Sequence, residues 1–98
     1  MVSIADSGEI YKYLSKLDNW KNIENHHITK NYYFKNFNEA INFVNKVSEI
    51  AEKMNHHPDI TVSYNIVEIK IFTHKVNSLT DKDFKLASAI DKIKMEEK

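Results

Sequence analysis

Ala40, Phe43, Val44, Val47, Ile50, Ala51 and Met54 recur at the spacing of a single helix face. A stripe of that length must be laid along another layer of structure, so the middle of the chain is a helix that packs on one side. Glu39, Asn42, Lys46, Glu49 and Lys53 fall on its solvent side. Asn36 or Asn38 can cap its start, with Phe37 as a staple. Pro58 cannot continue a helix and restricts the residue before it, so the helix ends ahead of Asn55-His56-His57-Pro58.

The flanking segments have the patterns of elements that could cover this stripe. Ser7 can cap a first helix whose Ile10, Leu14 and Leu17 face inward, and Asp18-Asn19 breaks it before Trp20. Trp20 is expected to be a core or interface anchor rather than a ligand contact. Strands are expected over 20–23 and 28–34, the second alternating Ile28, Lys30, Tyr32, Phe34. Ile60, Val62 and Tyr64 alternate, as do Val67, Ile69, Ile71 and Thr73, with Asn65 at the turn of a hairpin. Residues 75–79 form a loop in which Asn77 can take a left-handed backbone. Thr80 and Asp83 have the spacing of a capping box for a last helix bearing Phe84, Ala87, Ile90 and Ile93. Residues before Asp6 and the tail from Lys94 to Lys98 are expected to fray. The order α-β-β-α-β-β-α predicts one α+β domain over residues 1–98, a four-stranded antiparallel sheet with three helices packed on one face. Its open strand edges invite sheet extension between subunits, so some self-association is expected.

Composition narrows the function. The 98-residue chain has a formal net charge of zero, and all its basic residues are lysines. Without arginine it lacks the bidentate donor best suited to guanine and phosphate, so no nucleic-acid partner is expected. Without cysteine it can form no disulfide and do no thiolate chemistry, which fits a reducing, cytoplasmic setting. No apolar run is long enough to cross a membrane and no signal-peptide core is visible, so no membrane partner is expected.

The chemistry is concentrated between Glu52 and His74. His56 and His57 stand at a helix end, and His74 at the end of a strand-like run. Imidazole gives or takes a proton near neutral pH. If the sheet returns beside the helix, the three can line one cleft, the minimum for paired acid and base work. A zinc site built from the same trio is the competing reading, but adjacent histidines on irregular backbone rarely aim both rings at one ion. His26-His27 reads as two solvated turn histidines outside the cluster. Asp83 is either a helix cap and dipole partner or a site residue, and Glu52 either a solvated carboxylate or a support for His56 or the substrate.

Glu52, His56, His57, Pro58, Tyr64, His74 and Asp83 stand in the order and at the spacing of the motif of the pterin-4a-carbinolamine dehydratases, and the chain resembles that family from about Ile10 to Ile93. The resemblance implies dehydration of a 4a-hydroxytetrahydropterin to a quinonoid dihydropterin. It gives His56 and His74 the roles of acid and base, in either order, and leaves His57 to bind or orient the pterin. Asn55, Thr73 and Lys75 would contact the ring, and Glu52 and Asp83 would support the site. It implies no metal and no cofactor, the pterin being the substrate, and assembly into dimers or tetramers. Some members of the family also serve as dimerisation cofactors of a transcription factor, so a non-catalytic protein-binding module is the alternative. The chain departs from the family pattern at Asp18-Asn19 and Val76-Asn77-Ser78, where glycines are usual, and at Phe72, where a small hydroxyl residue is usual.

Overall fold

The structure, a computed structural model, describes residues 3–95; residues 1–2 and 96–98 lie outside it. Helix α1 (Ser7–Leu14) is followed by strands β1 (Lys21–Ile23) and β2 (His27–Tyr33), helix α2 (Phe37–Met54), strands β3 (Asp59–Ser63) and β4 (Ile66–Ile71), and helix α3 (Asp81–Asp91). The strands form one antiparallel sheet in the order β1-β2-β4-β3. Because β4 returns between β2 and β3, the two central strands meet over the longest register, from Ile28 opposite Ile71 to Tyr33 opposite Ile66. The architecture is the α+β arrangement expected from the order of elements.

Alternation in the central strands puts Ile28, Val67, Ile69 and Ile71 on the covered face, all fully buried. Ala40, Phe43, Val47 and Ala51 of α2 and Phe84, Leu86, Ala87 and Ile90 of α3 close over them. Leu86 is a core residue that the helical spacing did not single out. Met54, at the end of the α2 stripe, is exposed instead. Trp20 is buried in the same core.

Several local expectations are corrected. Asp6, not Ser7, caps α1, in a full capping box: Glu9 N–H donates to Asp6 Oδ1 (2.8 Å) and Asp6 N–H to Glu9 Oε1 (3.1 Å). The reciprocal partner three residues on favours the aspartate. Asn36 caps α2, which makes Phe37 the first helical residue; it is half-exposed and no staple. Of the segments expected to fray, Ala5 donates its N–H to Leu79 O (2.8 Å) and Met95 packs on the core, while residues 1–2 and 96–98 lie outside the described residues.

Asp91, the last residue of α3, sits where the helix dipole disfavours a carboxylate. Three donors offset that. Trp20 Nε1 (2.9 Å) and Lys30 Nζ (2.8 Å) donate to it, as does the Tyr32 hydroxyl. Burial first, and then the bond to Asp91, push the Tyr32 phenol well above its ordinary range, so it remains a donor. The alternation of β2 places Lys30 and Tyr32 on the helix side, and Asp91 is what makes that placement tolerable. Asp91→Ala is expected to lower stability by about 2 kcal/mol, since it strands three partly buried donors, and a urea titration would read this as a lower midpoint at unchanged slope.

Candidate active site

The end of α2 is built to present His56. Asn55 takes a left-handed conformation (φ 51°, ψ 44°), and the next N–H, that of His56, reaches back to Ala51 O at 3.0 Å. This is a Schellman-type ending, and asparagine is the side chain that best replaces glycine in it. The turn swings His56 inward, where its Nε2–H donates to Asp83 Oδ1 at 2.6 Å. Asp83 is fully buried and the His56 side chain is 11% exposed.

Asp83 has more than one task. Its Oδ2 accepts from Thr80 N–H (2.8 Å), which closes the capping box of α3, and from Thr73 Oγ1 (2.9 Å). Thr73 Oγ1 in turn accepts from Thr80 Oγ1 at 2.8 Å, and Thr80 Oγ1 accepts from Lys82 N–H at 3.3 Å. A single carboxylate thus joins the end of α2, the segment after β4 and the start of α3. The two oxygens face different partners: Oδ2 serves the start of α3 and Oδ1 holds the His56 ring. With the carboxylate accepting from Nε2–H, a neutral His56 has Nδ1 as its acceptor. Among the described residues Nδ1 has no hydrogen-bond partner.

Glu52 pairs with His57 Nε2 rather than with His56. Both are largely exposed, and such pairs contribute little to stability. His74 lies not at a strand end but in the turn that follows, closed by the bridge between Thr73 and Ser78. Its ring is 57% exposed, and its nearest charged partner, Asp59 Oδ1, is 4.0 Å away. Asn77 holds the left-handed position of this turn at φ 51°.

These pieces surround a cleft of about 270 Å³ lined by Asn55, His56, His57, Phe72, Thr73, His74, Lys75 and Lys82. All three imidazoles and all three flanking residues singled out in the sequence therefore border one hollow. Glu52 and Asp83 stand behind it. The Thr73 hydroxyl is turned to Asp83, which leaves the rest of the residue to line the cleft. Phe72 and Lys82 were missed as lining residues; neither lies on a periodic face that would have marked it. Tyr64 is exposed in the hairpin turn and does not line the cleft. Among the described residues no three His, Cys, Asp or Glu side chains group closely enough to hold a metal ion. Nor is any described helix long and apolar enough to cross a membrane.

His26 and His27 are only partly solvated. His27 begins β2, and both rings are half-buried. Burial above all, then the nearby Lys70 and His26, holds the His27 imidazole below its ordinary range, with Glu24 and Asp59 opposing.

Fold and cleft together define a small α+β domain with an imidazole-lined pocket of a size for one small, flat ligand. Residues 4–93 match the sequence pattern of the family described as pterin 4 alpha carbinolamine dehydratase. Relatives that carry the name pterin-4-alpha-carbinolamine dehydratase provisionally include one from Alkaliphilus metalliredigens, 44% identical over 88% of this chain and 78% of its own length. Another, from Picosynechococcus, is 47% identical over 87% of this chain and 91% of its own length. Among solved structures, a transcriptional coactivator/pterin dehydratase from Brucella melitensis superposes with a TM-score of 0.86 at 31% identity, covering 91% of this chain and 96% of that one. A pterin dehydratase-like RuBisCO assembly factor of the alpha-carboxysome shares the fold, with a TM-score of 0.64 at 16% identity over 76% of this chain and 87% of that one. The chain belongs to the pterin-4-alpha-carbinolamine dehydratase family.

Proposed function

We propose that the protein dehydrates 4a-hydroxytetrahydropterin to quinonoid dihydropterin and water, by histidine acid–base catalysis in pterin recycling. The observation that carries this reading is the meeting of His56, His57 and His74 on one cleft of about 270 Å³. That is close to the lower end of small-molecule sites, at about 300 Å³, and suits a bicyclic ring without a large appendage.

The reaction needs two proton movements. The hydroxyl on the bridge carbon takes a proton and leaves as water. The neighbouring ring nitrogen gives up its proton, and the electron pair of that N–H bond becomes the new C=N bond. Each such step typically contributes about 10²–10⁴-fold. His56, held by Asp83, works through Nδ1, and His74, on the same cleft, is the second proton carrier. His57 and the flanking Asn55 and Lys75 orient the ring. The reaction needs no metal and no redox cofactor.

The test is to generate the 4a-hydroxypterin with an aromatic amino acid hydroxylase and follow its loss by absorbance. The protein is expected to accelerate that loss in proportion to its concentration. A rate equal to the uncatalysed one would end the reading. Light scattering on the same sample checks the homodimer or homotetramer that open edges β1 and β3 favour. The likeness to the Brucella transcriptional coactivator/pterin dehydratase supports a second reading, a protein-binding module. That reading would gain ground from a transcription factor recovered at equal stoichiometry by a preparation without dehydratase activity.

A further inference from the structure

The turn between β1 and β2 lies against the turn that carries His74. Ser78 Oγ donates to Asn25 O at 3.4 Å, and His26 Nε2–H donates to Asn77 Oδ1 at 2.8 Å. With Nε2 as donor, neutral His26 offers Nδ1 as an acceptor, and His27 Nδ1–H fills it at 3.0 Å. The His26 ring is therefore held at both nitrogens. So fixed, it lies on Phe72, centroids 4.6 Å apart at 37°. Phe72 in turn meets His74 edge to face, at 4.1 Å and 80°.

His74 has few other restraints. It is more than half exposed, sits in a turn, and reaches its nearest carboxylate only at 4.0 Å. A side chain so placed samples several rotamers unless something packs on it, and proton transfer needs one of them. The contact at hand is Phe72, and the element that fixes Phe72 from behind is His26. We infer that His26 is a positioning residue: through Phe72 and Asn77 it holds the His74 ring in its orientation toward the cleft. This rests on the dehydratase reading for its catalytic consequence, but not for its structural one. His26 is outside the cleft lining and touches no part of the ligand's place.

The test uses His26→Ala, His26→Phe and His26→Gln in the otherwise intact chain. Two readouts separate this inference from the assignment of function. Carbon–proton NMR of the ligand-free protein follows the His74 ring, whose resonance is displaced by the Phe72 ring current. His26→Ala is expected to move that resonance toward the position of an unstacked histidine, and His26→Phe, which keeps the stack, to restore most of the displacement. His26→Gln keeps a donor for Asn77 without the ring and should behave like the alanine variant. In the dehydratase assay His26→Ala is expected to lower kcat by about 10-fold with KM nearly unchanged, again with recovery in His26→Phe. A His74 resonance unmoved in both the alanine and glutamine variants overturns the inference, even if the protein is an active dehydratase. A resonance that moves as stated in a protein without dehydratase activity upholds the positioning and removes only the proposed reaction.

Discussion

Replacing His56 by glutamine or His74 by alanine is expected to lower turnover of the carbinolamine by about 10²–10⁴-fold each, with the fold intact. Glutamine at position 56 can still donate to Asp83, so the buried carboxylate keeps its partner while the proton carrier is lost. The His74 ring is more than half exposed and, among the described residues, has no close polar partner, so its truncation removes little packing. The two losses should not add fully in the double variant, since the two groups act on one transition state. Turnover is measured with the hydroxylase-generated substrate, and near-UV circular dichroism checks the core. Wild-type turnover in both single variants would remove these imidazoles from the reaction.

Asp83→Ala is expected to cost about 3–5 kcal/mol of stability, since each buried donor left unsatisfied costs about 1–3 kcal/mol. The loss strands His56 Nε2–H, Thr73 Oγ1 and the Thr80 N–H together, on three different segments. For a domain of this size each kcal/mol lowers Tm by roughly 4 °C or more. Asp83→Asn should fall between, because the amide nitrogen must face either His56 Nε2–H or the donors on the other side, and donor then meets donor. A loss of no more than about 1 kcal/mol in Asp83→Ala, read by thermal or urea unfolding, would reduce Asp83 to an ordinary helix cap.

How far these features could be read in advance depends on how local their causes are. The α2 stripe, the stop at Pro58 and the β3–β4 hairpin follow from periods of 3.6 and 2 and from a residue that cannot donate, so they were legible. The convergence of three histidines on one hollow was also legible, because a hairpin that follows a helix must return beside it. The pairing of carboxylates was not. Helical spacing suggests Glu52 for His56, but left-handed Asn55 turns the backbone, so that His56 goes to Asp83 and His57 to Glu52. The partnership of His26 with Asn77 joins two turns far apart in the chain and leaves no periodic trace. The reading as a solvated pair holds only in part, since both rings are partly buried and His26 bonds across to Asn77.

The carboxylate that orients His56 arrives from α3, after every strand has been laid down. During synthesis the chain therefore carries its histidine pair for some time before the carboxylate that holds His56 emerges from the ribosome. A fragment ending before α3 would keep the cleft lining except Lys82, but not the carboxylate that holds His56. The bond between His56 and Asp83 can form only when α3 docks, so chain order makes it one of the last contacts of the fold.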